Sequence, residues 1–146
     1  MKTLFLTLIL TLTFGSFQFA KAQTNQTVKV QINQQKTIAK SKLTIKFISL
    51  VEDSRCPTNA NCVWAGNAKI QIKVSKGKES KTFELNTKLE PKIVMFAGYE
   101  IKLTDLNPKP ATNIRISRNG YTATFSISRT ANKVSTLSGG KTKNSK

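Results

Sequence analysis

Apolar and polar residues alternate along short segments in most of the chain. In the clearest segment, residues 68–74, Ile70, Ile72 and Val74 fall on one side while Lys69 and Lys73 fall on the other. A period of two is the pattern of a β-strand with one buried and one exposed face. The same period, together with short β-prone runs, predicts about eight strands and no helix after residue 22. The predicted strands cover residues 28–32, 43–50, 68–74, 82–85, 93–96, 99–103, 114–116 and 121–127.

The residues between these runs are typical of turns and sheet edges. Lys-Gly-Lys at 76–78 predicts one hairpin, and Asn-Gly at 119–120 predicts another between the last two strands. The change of phase at Ile48 and Leu50 predicts a bulge or a change of sheet. The two prolines of residues 107–110 predict a loop or an edge. We therefore predict an all-β fold, an antiparallel β-sandwich of immunoglobulin-like or jelly-roll-like type, with a small barrel as the alternative.

Residues 1–22 have the features of a secretory signal peptide. Lys2 supplies the positive charge, an apolar run extends over residues 4–19, and Ala-Lys-Ala at 20–22 matches a cleavage site. Cleavage after Ala22 would deliver the protein to the periplasm or outside the cell. No cysteine follows that site to carry a lipid anchor, and no later apolar run reaches the roughly 18 residues of a membrane span.

The remainder of the chain divides by composition. Residues 23–129 carry the strand pattern and are predicted to form a single domain. Residues 130–146 are mostly Ser, Thr, Asn, Gly and Lys, with only Val134 and Leu137 as sizeable apolar side chains. Such a segment buries too little surface to offset its ordering entropy, so we predict a disordered basic tail.

The charge of the chain is strongly positive. It contains 24 Lys and Arg residues against seven Asp and Glu, which gives a formal net charge of +17. One interpretation is a soluble surface that also discourages edge-to-edge strand pairing. The other is a site for an anionic envelope component, either anionic lipid headgroups or an acidic polysaccharide. Nucleic acid is not an expected partner, because the protein is exported and presents no helix or aromatic stacking platform. The candidate polyanion-binding residues are Lys29, Lys42, Lys46, Lys69 and Lys73, on the predicted polar faces of strands, with Lys141, Lys143 and Lys146 in the tail.

Residues 52–66 contain both cysteines and the only tryptophan of the chain. Because the predicted compartment is oxidising and no third cysteine exists, Cys56 and Cys62 are expected to form a disulfide. Closing so short a loop would stabilise the fold by about 2 kcal/mol and would make residues 57–61 rigid.

The neighbours of the cysteines are expected to complete a structural clasp. Asp53 can accept hydrogen bonds from turn N–H groups, and Arg55 can pair with Asp53 or donate to carbonyl groups. Pro57 restricts the loop, and Gly66 permits a tight bend. Trp64 can cover the disulfide while its indole N–H finds a carbonyl.

A recognition loop is the alternative to this clasp. A rigid loop at residues 57–61 is what a protease inhibitor or a protein-recognition module presents to its partner. A zinc site is not expected, because the chain has two cysteines and no histidine. The six-residue spacing of the thiols does not match a redox motif. Glu52 and Asp53 would point to opposite faces of a strand unless a bulge intervenes. We predict a monomer with no catalytic residue, no metal and no cofactor.

The same segment carries a resemblance to a protein family. The pattern D-S-R-C-P-x4-C-x-W-x-G-x-A at residues 53–68 resembles a signature of small exported bacterial β-rich proteins of unassigned function. The similarity extends to residues 98–110 and to the strand that begins at Tyr121. The resemblance implies an exported β-rich domain, and it brings no activity and no catalytic residue with it.

Overall fold

Eight β-strands make up the regular structure of the computed structural model, which describes residues 25–130. Within those residues there is no helix, and therefore none long and apolar enough to cross a membrane. The strands are β1 (Gln26–Gln31), β2 (Gln35–Ile38), β3 (Leu43–Asp53), β4 (Ala68–Lys76), β5 (Glu79–Asn86), β6 (Ile93–Phe96), β7 (Tyr99–Asn107) and β8 (Thr122–Arg129).

The strands form two antiparallel sheets of four strands each. Sheet A has the order β1-β8-β7-β6, and sheet B has the order β2-β3-β4-β5. The predicted all-β antiparallel sandwich is confirmed, and the sheets do not close into a barrel. Apart from the β1–β8 pair, strands that pair are consecutive in the chain. The connectivity is therefore a meander, without the returning fourth strand of the Greek keys found in most β-sandwiches.

The space between the sheets is filled by the apolar side chains of the alternating segments. Both sheets contribute to one buried cluster, whose largest fully enclosed members include Phe47, Phe125, Ile70 and Ile72. Each such side chain contributes roughly 1.5–3 kcal/mol through its removal from water. The period of two in the sequence therefore identified the inward-facing positions of β3, β4 and β7.

Several local predictions are confirmed. β3 pairs with β4 with register shifts between Phe47 and Ser49 and again between Leu50 and Glu52, where the sequence predicted a bulge. The β4–β5 hairpin turns at Gly77, which has a φ of +60°. The run at 93–96 forms β6, paired with β7.

Two strand assignments were wrong. Residues 114–116 are not a strand: Ile114 is 57% exposed, and the segment belongs to a long loop before β8. The Asn-Gly pair therefore turns within that loop instead of joining two strands, with Gly120 N–H donating to Ser117 O at 2.9 Å. The structure instead contains a strand that was not predicted, β2. Its first three residues are exposed and polar, so its sequence shows no alternation of apolar and polar side chains.

The predicted signal peptide at 1–22 and its cleavage site lie outside the described residues. So does the predicted tail beyond Thr130, including Lys141, Lys143 and Lys146.

Candidate functional site

Four loops meet at the end of the sandwich where β3 and β7 finish, and we call this the clasp end. They span residues 32–34, 54–67, 87–92 and 108–121. The segment that holds both cysteines is the second of these loops. Its contacts with the other loops decide which of its side chains are buried and which face solvent.

Arg55 is the centre of the clasp. Its Nε and Nη2 donate to the two carboxylate oxygens of Asp53 at 2.8 and 2.7 Å. Its Nη1 donates to Leu106 O at 2.6 Å, and Nη2 also donates to Pro108 O at 2.9 Å. The side chains of Arg55 and Asp53 are only 11% and 12% exposed. Since Asp53 ends a strand of sheet B and Leu106 lies in sheet A, the guanidinium ties the two sheets together.

Tyr121 completes this network from the last position of the loop before β8. Its hydroxyl donates to Asp53 Oδ2 at 3.2 Å. Burial acts to raise the pKa of Asp53, but the hydrogen bonds and charge of Arg55 outweigh it, so the pKa of this carboxyl lies below its ordinary value. Burial, followed by the negative charge of Asp53, raises the pKa of Tyr121. Asp53 is therefore held ionised as a structural anion.

The base of the cysteine loop is held by main-chain hydrogen bonds. Ser54 N–H donates to Asn67 O at 2.7 Å, and Cys56 N–H donates to Ala65 O at 3.2 Å. Gly66 lies between these rungs with a φ of +66°, and a Cβ there would stand 1.8 Å from Ser54 O. No residue with a side chain fits this position, which makes Gly66 a requirement of the loop.

The predicted disulfide is confirmed between Cys56 and Cys62, whose Cα atoms are 5.9 Å apart. The loop that it closes leans against the loop before β8. Thr58 N–H donates to Pro110 O at 2.8 Å. Asn59 donates through Nδ2 to Thr112 Oγ1 at 2.7 Å and accepts from Thr112 N–H at 2.9 Å. Residues 58 and 59, within the segment 57–61 considered as a recognition loop, are therefore partly occupied by contacts within the fold.

Trp64 does not cover the disulfide as predicted. Trp64 is 80% exposed, Val63 is 89% exposed, and within residues 25–130 the indole N–H makes no hydrogen bond. Because the loop leans toward residues 110–112, its other side faces solvent. The expectation that Trp64 belongs to the buried clasp was wrong, and the residue forms an exposed apolar tip with Val63.

A groove of about 740 Å³ lies next to this tip. Trp64 is among the residues that line it, together with Lys88 and Leu89 from the β5–β6 loop. Leu89 is 62% exposed, so both of these apolar lining residues are accessible to a partner.

A buried amide pair holds the β5–β6 loop beside this groove. Asn67, the residue before β4, is only 7% exposed, and its Nδ2 donates to Asn86 Oδ1 at 2.8 Å. Its Oδ1 accepts from Lys88 N–H at 3.1 Å, and Asn86 Nδ2 donates to Glu90 O at 3.1 Å. Sequence analysis missed this pair, because an asparagine beside a strand carries no signal of a partner 19 residues away.

The five candidate lysines are not gathered on one surface. Lys29 lies on the outer face of sheet A, whereas Lys46 and Lys73 lie opposite one another on the outer face of sheet B. Lys69, on that same outer face, has its Nζ 3.9 Å from Glu84 Oε2. Lys42 is not in a strand, since it lies in the turn before β3 with a φ of +54°.

The described residues also bear on the metal site and the carboxylate pair that the sequence analysis considered. Among them, no group of three His, Cys, Asp or Glu side chains could hold a metal ion. Asp53 is committed to Arg55 and Tyr121, while Glu52 is exposed and pairs across the strands with Lys69. The two neighbouring carboxylates thus have different partners: Asp53 belongs to the buried network, whereas Glu52 lies at the surface.

Comparison with known proteins found no match: no family model fits the chain, and no curated protein or solved structure is significantly similar to it.

Proposed function

We propose that this protein is an exported, non-catalytic binding module that recognises a protein partner through Val63 and Trp64. The observation that carries the proposal is a tryptophan that is 80% exposed on a loop held at its base and against residues 110–112. A tryptophan in such a position is costly to leave in water and is a frequent anchor of protein interfaces. The disulfide and the Arg55 network fix the loop before binding, which lowers the entropy lost on association.

The groove beside the tip supports the same proposal. Trp64 and Leu89 offer an apolar centre, and Glu52, Lys69 and Lys88 lie around it. An apolar centre with a charged rim is the common arrangement of protein-binding surfaces. The disulfide fits a protein that folds in an oxidising compartment, which is consistent with export.

The test compares capture by the unmodified protein with capture by Trp64→Ala. Envelope and secreted proteins of the source cell are passed over each immobilised variant, and a protein retained only when Trp64 is present is purified. We then expect Trp64→Ala to weaken its binding by about 30-fold or more, as for an interface hot spot. Because Trp64 is the only tryptophan, its fluorescence should shift to shorter wavelength when the partner covers it.

Met95→Ala is the matched control, because Met95 is 53% exposed on β6, in the opposite sheet from the strands that hold the loop. It should leave binding unchanged, and neither substitution should lower the melting temperature by more than a few degrees. Capture that is the same for Trp64→Ala and the unmodified protein would exclude the proposed site.

A further inference from the structure

The end of the sandwich opposite the clasp end is formed by hairpin turns, and we call it the turn end. In sheet B the β2–β3 turn at residues 39–42 lies beside the β4–β5 turn at 77–78, because Thr44 pairs with Ser75. In sheet A, Tyr99 follows the β6–β7 turn and pairs with Arg129 at the end of β8. The ammonium group of Lys76 lies 4.7 Å from the Tyr99 ring centre, so the two sheets meet at this end.

Basic residues are concentrated at the turn end. The acids in its neighbourhood are Glu79, in the β4–β5 hairpin, and Glu100, on the outer face of sheet A. By contrast, Glu52, Asp53, Glu90 and Asp105 all lie near the clasp end. The cations of the turn end are Lys40, Lys42, Lys76, Lys78, Lys81 and Arg129.

Three of these cations are positioned by aromatic rings. Besides Lys76, the guanidinium of Arg129 lies 5.9 Å from the Tyr99 ring centre. Lys81 Nζ lies 5.3 Å from the ring of Phe83. The hydrogen bond from Arg129, opposed by burial, lowers the pKa of Tyr99. These contacts hold the positive charges at the rim of the core.

The other three cations, Lys40, Lys42 and Lys78, are exposed in the turns themselves. The ion pairs of residues 25–130 join Arg55 to Asp53, Lys69 to Glu84 and Lys109 to Asp105. None of them neutralises a lysine of the turn end. Of the exposed large apolar side chains of the same residues, Trp64, Leu89 and Ile114 lie at the clasp end, while Met95 pairs with Glu100 on the outer face of sheet A, next to the β6–β7 turn.

We propose that the turn end binds the surface of an anionic phospholipid membrane. Projecting turns that carry lysine tips can reach the phosphate groups of a flat surface simultaneously, and each basic residue near such a surface adds attraction. The turns at residues 39–42, 77–78 and 97–98 carry no large apolar side chain, so contact through them is electrostatic and peripheral, without insertion. Binding in this orientation directs Val63 and Trp64 away from the membrane, toward a partner in solution.

The experiment measures binding of the chain from residue 23 onward to vesicles of phosphatidylglycerol and phosphatidylcholine. The turn-end variant carries Lys40→Gln, Lys42→Asn and Lys78→Gln, with Asn chosen because it tolerates the positive φ of Lys42. The matched control, Lys29→Gln, Lys46→Gln and Lys73→Gln, removes the same charge from the strand faces. We expect the turn-end variant to lose affinity by a factor on the order of 100, and the strand-face variant far less.

Salt should weaken the interaction of the unmodified protein steeply, since the Debye length is only about 10 Å at 0.1 M ionic strength. Vesicles of phosphatidylcholine alone should not bind. Trp64→Ala should bind vesicles as the unmodified protein does, so this test and that of the partner site fail independently. Melting temperatures of all variants establish that they are folded.

Several results would overturn the proposal. Equal losses in the two lysine variants would mean that net charge alone is responsible. Loss only on substitution of Lys133, Lys141, Lys143 and Lys146 by Gln would assign the attraction to the chain beyond Thr130. Stronger turn-end-dependent binding to a soluble acidic polysaccharide, with no preference for anionic over neutral vesicles, would replace the lipid by a glycan.

Discussion

At the scale of single residues, the clasp depends on the geometry of one guanidinium. Arg55 meets both oxygens of Asp53 and two main-chain carbonyls at once, which uses the planar fork of donors that lysine lacks. Removing one member of a buried, hydrogen-bonded ion pair costs roughly 3–5 kcal/mol, because the remaining charge loses its partner. The Arg55–Asp53 ion pair therefore contributes more to stability than the exposed ion pairs Lys69–Glu84 and Lys109–Asp105.

The first prediction concerns the pH dependence of stability. The pKa of Asp53 in the folded protein lies below the 3.8 of an unperturbed carboxyl. The stabilisation is therefore complete above the unfolded pKa and is lost as the pH falls through the lower folded pKa. We expect the free energy of unfolding in urea to fall between about pH 5 and about pH 2. Asp53→Asn should be less stable near pH 6 by about 3 kcal/mol. Its free energy of unfolding should also change less with pH in the acid range.

Arg55→Met provides an independent check of the cause, because it removes the charge that lowers the pKa of Asp53. The free energy of unfolding of this variant should likewise change less with pH in the acid range. An Asp53→Asn variant whose stability falls with pH as steeply as that of the unmodified protein would show that this carboxyl is not the group responsible.

The second prediction compares two glycines that share a backbone conformation. Gly66 and Gly77 have φ values of +66° and +60°, but a Cβ would stand 1.8 Å from Ser54 O at Gly66 and would meet nothing within 4 Å at Gly77. Gly77→Ala should cost about 1–2 kcal/mol for the left-handed conformation alone. Gly66→Ala should cost several kcal/mol more, measured by thermal unfolding, since the β3–β4 loop must open. Equal losses would mean that the loop adjusts freely.

At the scale of elements, the pairing of β3 with β4 places like charges opposite each other. Lys46 faces Lys73 directly across the two strands. Like charges in such positions destabilise a sheet, and opposite charges stabilise it by roughly 0.2–1 kcal/mol. The sequence shows both lysines on polar faces, but only the register shows that they are neighbours.

The third prediction follows from this register. Lys46→Glu should raise the free energy of unfolding by about 0.5 kcal/mol at low salt, and the gain should shrink as salt is added. Lys29→Glu makes the same change of charge where the cross-strand neighbour is Thr124, so it should bring no such gain. A double-mutant cycle with Lys73→Gln measures the coupling, and a coupling near zero would contradict the paired arrangement.

The two errors in strand assignment share a cause. Strand β2 pairs only with β3 at the edge of sheet B and buries one of its four residues, Ile38. A strand with so little buried surface has no alternation to detect. The reverse error occurred at residues 114–116, where alternation is present but no neighbouring strand is available to pair with it. Hydrogen-bond pairing, which involves distant residues, decided both cases.

At the scale of the whole molecule, the two ends of the sandwich differ in character. The clasp end combines ion pairs, buried amides and an exposed apolar tip, whereas the turn end combines exposed lysines with cations held on aromatic rings. In an antiparallel meander, alternate connections lie at opposite ends. The loops between β3 and β4 and between β5 and β6 therefore share one end with the loop before β8, although they are far apart in the chain. This separation allows one molecule to present two unlike surfaces.

The sequence by itself determined the β class, the inward-facing residues, the bulge in β3, the hairpin at Gly77 and the disulfide. These depend on local properties: a period of two, glycine in a left-handed turn, and a single possible pairing of two cysteines. Only the tertiary structure decided that Asp53 meets Tyr121, 68 residues away, and that Trp64 faces solvent. It also separated the lysines of the strand faces and brought those of the turns together. Such contacts depend on how distant segments pack, and the alternation of a single strand contains no information about the strand or loop that will lie beside it.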